Sequence, residues 1–177
     1  KMSVKGRMYL IIFAILIMFA VMVYFAINNG TKVRDLGIQK TGEVMLLDQQ
    51  QKVQVATHTA ALTVGSAIES ITDPEEKIEV IRKLIDTIRF EEDKSGYFFV
   101  YQVTTCVALP PKKELQGKNL GDLKDKNGVY LVRDLNEKAR GGGGFVEYIW
   151  PKPGAGDVPK LSYAEMIPGT DMWIGTG

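Results

Sequence analysis

The sequence has little of what metal centres, disulfides and catalytic triads require. Its 177 residues include one cysteine, Cys106, and one histidine, His58. A single thiol forms no intramolecular disulfide, and a single imidazole forms no zinc cluster. No Ser, Cys or Asp arrangement around His58 suggests a triad, and no paired carboxylates suggest acid–base catalysis. The sequence therefore predicts no metal, no cofactor and no enzymatic activity, with Cys106 as a buried thiol.

Charge of one sign is not in excess either. Lys and Arg total 22, Asp and Glu total 21, and the formal net charge is +1. Nucleic-acid binding needs a basic field that this balance does not supply, so no nucleic-acid partner is expected. The glycines of 141–144 follow a predicted helix and lack the Lys-Ser/Thr pair of a phosphate-binding loop. They are interpreted as a linker.

One long stretch is entirely apolar. Residues Met8 to Ile27 contain no charge, Gly or Pro, and as an α-helix they would span about 30 Å, the thickness of a bilayer core. A cleaved secretory signal is the alternative, but its apolar region is shorter, about 7–15 residues, and ends at a small-residue cleavage site. We predict a cytoplasmic flank over 1–7, a transmembrane helix over 8–28 and an extracytoplasmic domain over 31–177. Basic residues on the two flanks balance, so charge alone does not fix the orientation.

Three further helical segments are predicted. Residues 31–71 lack Pro and continue as one long helix, on which small or β-branched side chains recur about every 3.5 residues, as at a dimer seam or against a sheet: Val53, Thr57, Ala60, Val64, Ala67 and Ile71. Asp73, Pro74 and Glu76 form an N-terminal capping pattern, so a second helix begins near Pro74 and runs to about residue 88. A short helix is predicted over 129–140.

Period-two patterns and turn residues predict five strands, over 97–101, 105–109, 145–150, 160–166 and 172–176. Loops rich in Pro and Gly separate the last three of them. The predicted fold class is α+β, with a long N-terminal helix packed on an antiparallel sheet of about five strands and preceded by one transmembrane helix.

Lys160 is the first candidate for binding an anion. A buried carboxylate needs a cation or several donors, and Ser162, two residues further along the strand, shares the face of Lys160. The alternative is an ordinary solvated lysine at a strand edge. Tyr97, Phe99 and Tyr101 share one face of their strand, where they either line a pocket or form plain sheet core.

Five residues are weaker candidates. Tyr148 and Trp150 share a strand face, and Tyr130 stands at the start of the short helix. Core packing explains each of the three nearly as well as ligand contact does. Pro110 would shape a pocket wall through its backbone. His58 is interpreted as a surface or packed helix residue, with ligand contact as the alternative.

Several stretches occur in the order found in a known family of sensors and resemble the second type of single Cache domain. They are Ser95–Tyr101, Gly117–Leu120, Gly128–Arg133, Gly144–Gly154, Pro159–Tyr163 and Trp173–Gly177. The resemblance implies a PAS-like antiparallel sheet beside a long helix, and a pocket for short organic acids such as acetate, propionate, pyruvate or lactate. Two departures, at Gln102–Thr105 and at Leu109, imply that the ligand need not match that of relatives.

The residues and the resemblance together indicate the sensor region of a bacterial methyl-accepting chemotaxis protein. We expect it in the inner membrane with its sensor domain periplasmic, as a homodimer through the long helix. It would bind a small carboxylate and signal to a cytoplasmic domain outside this sequence. The alternatives are the sensor of a histidine kinase or cyclase, a membrane-anchored enzyme, and a structural dimerisation module without a ligand. A saturable small-acid ligand would separate the sensor from the structural module.

Overall fold

The computed structural model describes residues 4–152 and 155–177. Helix α1 runs over Val4–Ile68, and its portion Val4–Asn29, which includes the predicted segment 8–28, is long and apolar enough to cross a membrane. Packing divides the chain after Asp48, within this helix, into a first unit and a second unit that begins at Gln49. The second unit contains the sheet.

Five antiparallel strands form one sheet in the order β2-β1-β5-β4-β3. The strands are β1 Phe98–Gln102, β2 Thr105–Ala108, β3 Gly144–Lys152, β4 Gly156–Met166 and β5 Met172–Thr176. β3 and β4 extend beyond their predicted ends into a stretch that contains Pro151 and Pro159. Proline is tolerated there because β3 is an edge strand and β4 pairs with β5 only from Tyr163 onward. The predicted α+β fold is confirmed.

The remaining helices are short. Helix α2 covers Pro74–Asp86, and the Asp73 side chain accepts a 3.1 Å hydrogen bond from the Glu75 amide, as the capping pattern predicts. A 3₁₀ segment covers Pro110–Leu115. Helix α3 covers Leu131–Arg140, beginning two residues after its predicted start.

The sheet separates two apolar clusters. One face packs against α1 and α2, and its buried members are Ala61, Val64, Ile68, Ile81, Ile85, Phe98, Val100, Val107, Ala108, Ile167, Met172 and Ile174. The other face packs against α3, and its buried members are Phe99, Tyr101, Cys106, Leu109, Leu131, Val132, Leu135, Ala139, Val146, Tyr148, Ala164 and Trp173. The strands in the centre of the sheet are therefore covered on both sides.

The small-residue stripe of α1 packs against the sheet, which is one of its two predicted roles. The positions that are buried differ in part from the predicted ones. They are Val53, Thr57, Ala61, Val64 and Ile68, while Ala67 is exposed. A straight helix repeats every 3.6 residues, so a stripe that meets a sheet drifts away from a strict 3.5-residue repeat. Ala67 therefore does not pack against the sheet, and its other predicted role, at a dimer seam, stays a prediction.

We expect the inward face of α2 to carry most of its contribution to stability. Ile81 is fully buried, whereas Leu84 on the same helix is 36% exposed. Ile81→Ala should lower the free energy of unfolding by about 2–5 kcal/mol through lost burial and a residual cavity. Leu84→Ala, the matched control, should lower it by much less. Urea unfolding of the full chain in detergent measures both, and equal losses would contradict this packing of α2.

Candidate ligand pocket

A small cavity lies between the sheet and α3. Its lining comes from the sheet (Tyr97, Phe99, Tyr101, Tyr148, Trp150 and Trp173), from α3 (Leu131, Val132 and Leu135) and from Leu109 after β2. The cavity volume is about 20 Å³, which is enough for about one water molecule. The cavity is therefore too small for an organic acid in this conformation, and one wall would need to move.

Lys160 brings a cation to this face of the sheet. It pairs with Tyr148 across the β3–β4 ladder, and its ammonium lies 4.2 Å from the ring centroid of Tyr97 and 5.9 Å from that of Phe99. Within the described residues no carboxylate lies at ion-pair distance from it. Burial lowers the pKa of Lys160 to about 8 because aromatic faces replace only part of the lost hydration. An anion would supply the missing charge.

Two hydroxyl groups lie on the same face. Ser162 is fully buried, and its Oγ is 2.8 Å from the hydroxyl of Tyr148. Burial raises the pKa of Tyr148, and the hydrogen bond with Ser162 opposes that rise only in part. Both hydroxyls are therefore neutral at physiological pH, and because one of their two protons serves the bond between them, the other can be donated to an anion. Lys160, Ser162 and Tyr148 together offer the donors that two carboxylate oxygens need.

The aromatic strand face forms both core and pocket wall. Phe99, Tyr101 and Trp173 are at most 4% exposed, and the rings of Tyr101 and Trp173 stack with centroids 4.9 Å apart. Tyr97 and Trp150 are only partly buried and stand at the rim. The aromatic face thus packs as sheet core and also lines the cavity, while its contact with a ligand stays a prediction.

Gly175 on β5 makes room for this floor. It pairs with Phe99 across the β1–β5 ladder, and a Cβ at this position would lie 2.6 Å from Cε2 of the Phe99 ring. Any larger residue would push Phe99 toward the cavity. The alternation along β5, with Trp173 and Gly175 on one face, is the signal by which the sequence could have added both to the site.

Cys106 lies beside the pocket floor, on the same face of the sheet as Tyr101. It is 1% exposed and pairs with Tyr101 across the β1–β2 ladder. Burial raises the pKa of the Cys106 thiol to about 11, so the thiol is protonated and unreactive at neutral pH. The interpretation of Cys106 as a buried thiol agrees with this environment.

Asp125 fixes α3 over the pocket, a role that the sequence analysis missed. One carboxylate oxygen accepts hydrogen bonds from the Asn127 and Val129 amides, both 2.8 Å, and the other accepts one of 2.8 Å from the Ile149 amide of β3. These bonds, the one from Ile149 first, lower the pKa of Asp125. The Asp-x-Asn-Gly pattern at 125–128 is a turn signal that could have indicated this role.

Comparison with known proteins identifies the family. Residues 25–177 match the family model dCache_2, described as "Cache domain". The chain belongs to the Cache domain family. The predicted resemblance to Cache sensors is confirmed, and the part of this Cache domain that the structure describes contains a single five-stranded sheet.

Relatives with curated names are bacterial receptors. The chain is 31% identical over 153 residues to the methyl-accepting chemotaxis protein CtpM of Pseudomonas aeruginosa, covering 82% of this chain and 26% of that protein. It is also 31% identical over 122 residues to the sensor histidine kinase MctS of Rhizobium johnstonii, covering 63% and 25%. The chain thus spans about a quarter of the length of the curated relatives it matches.

Two solved structures share the fold of this Cache domain. A methyl-accepting chemotaxis protein from Vibrio parahaemolyticus superposes with a TM-score of 0.68 at 29% identity, covering 76% of this chain and 90% of that one. A structure described as "Structural basis for carboxylic acid recognition by a Cache chemosensory domain" superposes with a TM-score of 0.66 at 25% identity, covering 76% and 95%.

The structure brings together seven of the ten candidate residues. Lys160, Ser162, Tyr97, Phe99, Tyr101, Tyr148 and Trp150 share one face of the Cache sheet. Pro110 is buried directly after the lining residue Leu109 but does not itself line the cavity. Tyr130 lies outside the lining, with its ring beside Lys124 and Arg133 at 4.5 and 4.6 Å.

His58 lies on the opposite side of the sheet from the pocket. Its Nδ1 is 2.9 Å from Oε1 of Glu165. Glu165 stands three residues after Ser162 on β4, so its side chain points to the α1 face. The structure therefore favours the interpretation of His58 as a helix surface residue and does not place it with the pocket residues.

We expect the buried charge of Lys160 to lower the stability of the ligand-free domain. Its pKa falls from 10.5 to about 8 on folding, so the unfolded chain binds more protons between pH 8 and 10.5, and stability rises with pH across that window. Lys160→Met should therefore stabilise the protein by about 3 kcal/mol below pH 8. That advantage should vanish by about pH 10.5. Urea unfolding at several pH values measures the difference, and a gain independent of pH would contradict this account.

Removing the Asp125 carboxylate should loosen the start of α3. Asp125→Ala should increase amide hydrogen exchange at Val129 and Ile149 by about tenfold or more, since both amides lose their acceptor. Asp122→Ala is the control, because Asp122 is exposed and pairs only with Arg133 in the described residues. The effect should be full above pH 4 and fade as pH falls through the lowered pKa of Asp125. Equal exchange in both variants would contradict the anchoring role.

Proposed function

We propose that this Cache domain is the periplasmic ligand-binding region of a bacterial chemoreceptor and that it senses a short organic acid of the acetate, propionate, pyruvate or lactate class. The observation that carries the proposal is Lys160, a partly buried cation beside two buried hydroxyls and without a carboxylate partner among the described residues. The solved Cache relative described as recognising carboxylic acids supports the same ligand class.

The chemistry of the pocket favours a small monocarboxylate. The carboxylate would pair with Lys160 and accept a hydrogen bond from the hydroxyl of the Ser162–Tyr148 pair that keeps its proton free, which offsets its desolvation. The short alkyl or 2-oxo part would lie against the rings of Tyr97 and Phe99. The described residues that line the cavity include no cation, and Lys160 stands beside them on the same sheet face, so a second carboxylate would be buried without compensation.

The remaining features fit a membrane receptor. Residues 8–28 would cross the inner membrane, with 1–7 in the cytoplasm and 31–177 in the periplasm, and a cytoplasmic signalling domain would lie outside this sequence. Several large apolar side chains of α1 beyond the membrane segment are exposed, which supports a homodimer through this helix. They are Val44, Met45, Leu46, Leu47, Val55 and Leu62.

A histidine kinase is the second candidate for the whole protein. The similarity to the sensor kinase MctS supports it, and the similarity to CtpM and to McpP of Pseudomonas putida supports the chemoreceptor. Either output would use the same pocket. The binding domain itself would act as a sensor and not as an enzyme.

A ligand screen tests the proposal. We expect acetate, propionate, pyruvate or lactate at 100 times its dissociation constant to stabilise the full chain by about 2.7 kcal/mol in thermal unfolding. Lys160→Ala should abolish the effect. Lys152→Ala is the control, since Lys152 on β3 pairs with Asp93 at 2.5 Å and lies outside the pocket. If no acid of this class raises the melting temperature, the proposed ligand class is wrong.

Binding should also take up protons. At pH 8 about half of the Lys160 side chains are neutral in the free protein, and a bound carboxylate would favour the charged form. We therefore expect an uptake of about half a proton per site at pH 8 and close to none at pH 6. Calorimetry in two buffers of different ionisation enthalpy measures it. Binding without proton uptake at pH 8 would show that the acid does not pair with Lys160.

A further inference from the structure

The cavity is too small for the proposed ligand, so one of its walls has to move before even a two-carbon acid can enter. A volume of about 20 Å³ holds about one water molecule. The strands of the floor are held in continuous ladders. Leu109 directly follows β2, and the Val107 carbonyl of β2 accepts a 2.8 Å hydrogen bond from Nε of Arg82 on α2. The remaining wall is helix α3, which contributes three lining residues.

Helix α3 differs from the other two α-helices in how it is attached to the sheet. Helix α1 has a polar contact with β4 through His58, and α2 is bonded to β2 through Arg82. In the part of the chain that the structure describes, no hydrogen bond or ion pair joins α3 to a strand. Its side chains bond to the preceding loop, through Arg133, and within the helix, through Arg140. Apolar packing therefore holds α3 on the sheet.

Both ends of α3 are attached to the edge strand β3. The turn before α3 is fixed by Asp125, whose carboxylate accepts a 2.8 Å hydrogen bond from the Ile149 amide. The end of α3 is joined through three glycines to Gly144, the first residue of β3. Gly144 and Ile149 are separated by about 17 Å of strand, and a helix of 10 residues is about 15 Å long. The helix thus lies along the edge strand, antiparallel to it, with one attachment at each end.

The second attachment has the backbone geometry of a hinge. Gly142 and Gly143 have φ values of +101° and +102°, which residues with a side chain rarely adopt. A Cβ on Gly143 would collide with the hydroxyl of Tyr163, whereas a Cβ on Gly142 would meet no atom within 4 Å. An alanine at position 142 would therefore disfavour the observed φ without a steric clash.

We propose that α3 is the moving wall of the pocket. It lifts from the floor as an intact helix, pivoting along β3 about Asp125 at its start and Gly142 at its end. The motion raises the lining side chains of α3 from the aromatic floor and admits the acid; they are Leu131, Val132 and Leu135. This proposal rests on the proposed function for the identity of the ligand, while the lifting of α3 itself requires no ligand.

A thiol on the inner face of α3 reports the opening. Leu135 on α3 and Ile85 on α2 are each 1% exposed, so neither position is accessible unless its helix moves. In the full chain in detergent, iodoacetamide should alkylate Leu135→Cys about tenfold faster or more than the matched control Ile85→Cys, because α2 is also bonded to β2. Mass spectrometry of peptides separates the introduced thiol from Cys106. Equal rates at the two positions would overturn the proposal.

Amide exchange distinguishes lifting from unfolding. The amides within α3 keep their helical bonds when the helix lifts as a unit, so the open fraction that their exchange reports should be about tenfold or more below the open fraction that alkylation of Leu135→Cys reports. The amides of Val100 and Tyr101 in β1 should stay protected as well. If exchange within α3 or β1 reports the same open fraction as alkylation, the helix or the domain unfolds, and the proposal is wrong.

The hinge is tested by two alanines that impose the same kind of strain. Gly142 and Gly169 both have a positive φ, +101° and +73°, and open space where a Cβ would lie, but Gly169 is in the turn between β4 and β5. Added to Leu135→Cys, Gly142→Ala should raise the alkylation rate about fivefold or more, because it disfavours the backbone that seats α3 on the floor. Gly169→Ala should leave the rate unchanged. Equal increases would indicate a general loss of stability and refute the hinge.

Stopped-flow binding of acetate tests whether this motion admits the ligand. Both tryptophans of the chain, Trp150 and Trp173, line the cavity, so their fluorescence is the readout. With Leu135 restored, Gly142→Ala should raise the association rate by about the factor measured for alkylation, and Gly169→Ala should leave it unchanged. Faster alkylation with an unchanged association rate would refute α3 as the wall that admits the acid. If acetate does not bind at all, the proposed ligand is wrong, while alkylation and amide exchange still decide whether α3 lifts.

Discussion

The alternation of side chains across the central strands is the constraint on which this domain depends. Along β1, Phe98 and Val100 face α1 and α2, while Phe99 and Tyr101 face the pocket. The same alternation on β4 sends Ser162 to the pocket and Glu165 to α1. A shift of one residue in register would exchange the two faces and place the lysine and hydroxyls of the pocket against the apolar stripe of α1. The sheet register therefore fixes the core and the candidate site together.

Strand patterns made much of this predictable. The aromatic run at 97–101 and the Lys-x-Ser spacing at 160–162 assign residues to faces by period alone, and the observed sheet agrees with them. The helix cap at Asp73 was predictable for a similar reason, since its hydrogen bond is local in sequence. Local periodicity and local hydrogen bonds can be predicted without the tertiary structure.

Features that depend on contacts distant in sequence were not predictable in the same way. The burial of Ala61 in place of Ala67 follows from where a straight helix meets the sheet. The role of Asp125 depends on the Ile149 amide, 24 residues away. The small volume of the pocket depends on how α3 and Leu109 pack together. None of these has a signature in residue spacing, because each is set by the relative position of two elements.

The energetics of Lys160 connect the site to the helix behind it. A partly buried ammonium resting on aromatic rings stabilises the empty domain less than a paired one would, so the proposed anion would bind beside a charge that has no carboxylate partner among residues 4–152 and 155–177. The strand that carries Lys160 also carries Glu165, whose carboxylate contacts His58 of α1 on the other face at 2.9 Å. Signalling requires the ligand to bind two conformations of the domain with different affinities. A strand with the proposed ligand on one face and the long helix on the other is a structural element through which such a difference would reach α1.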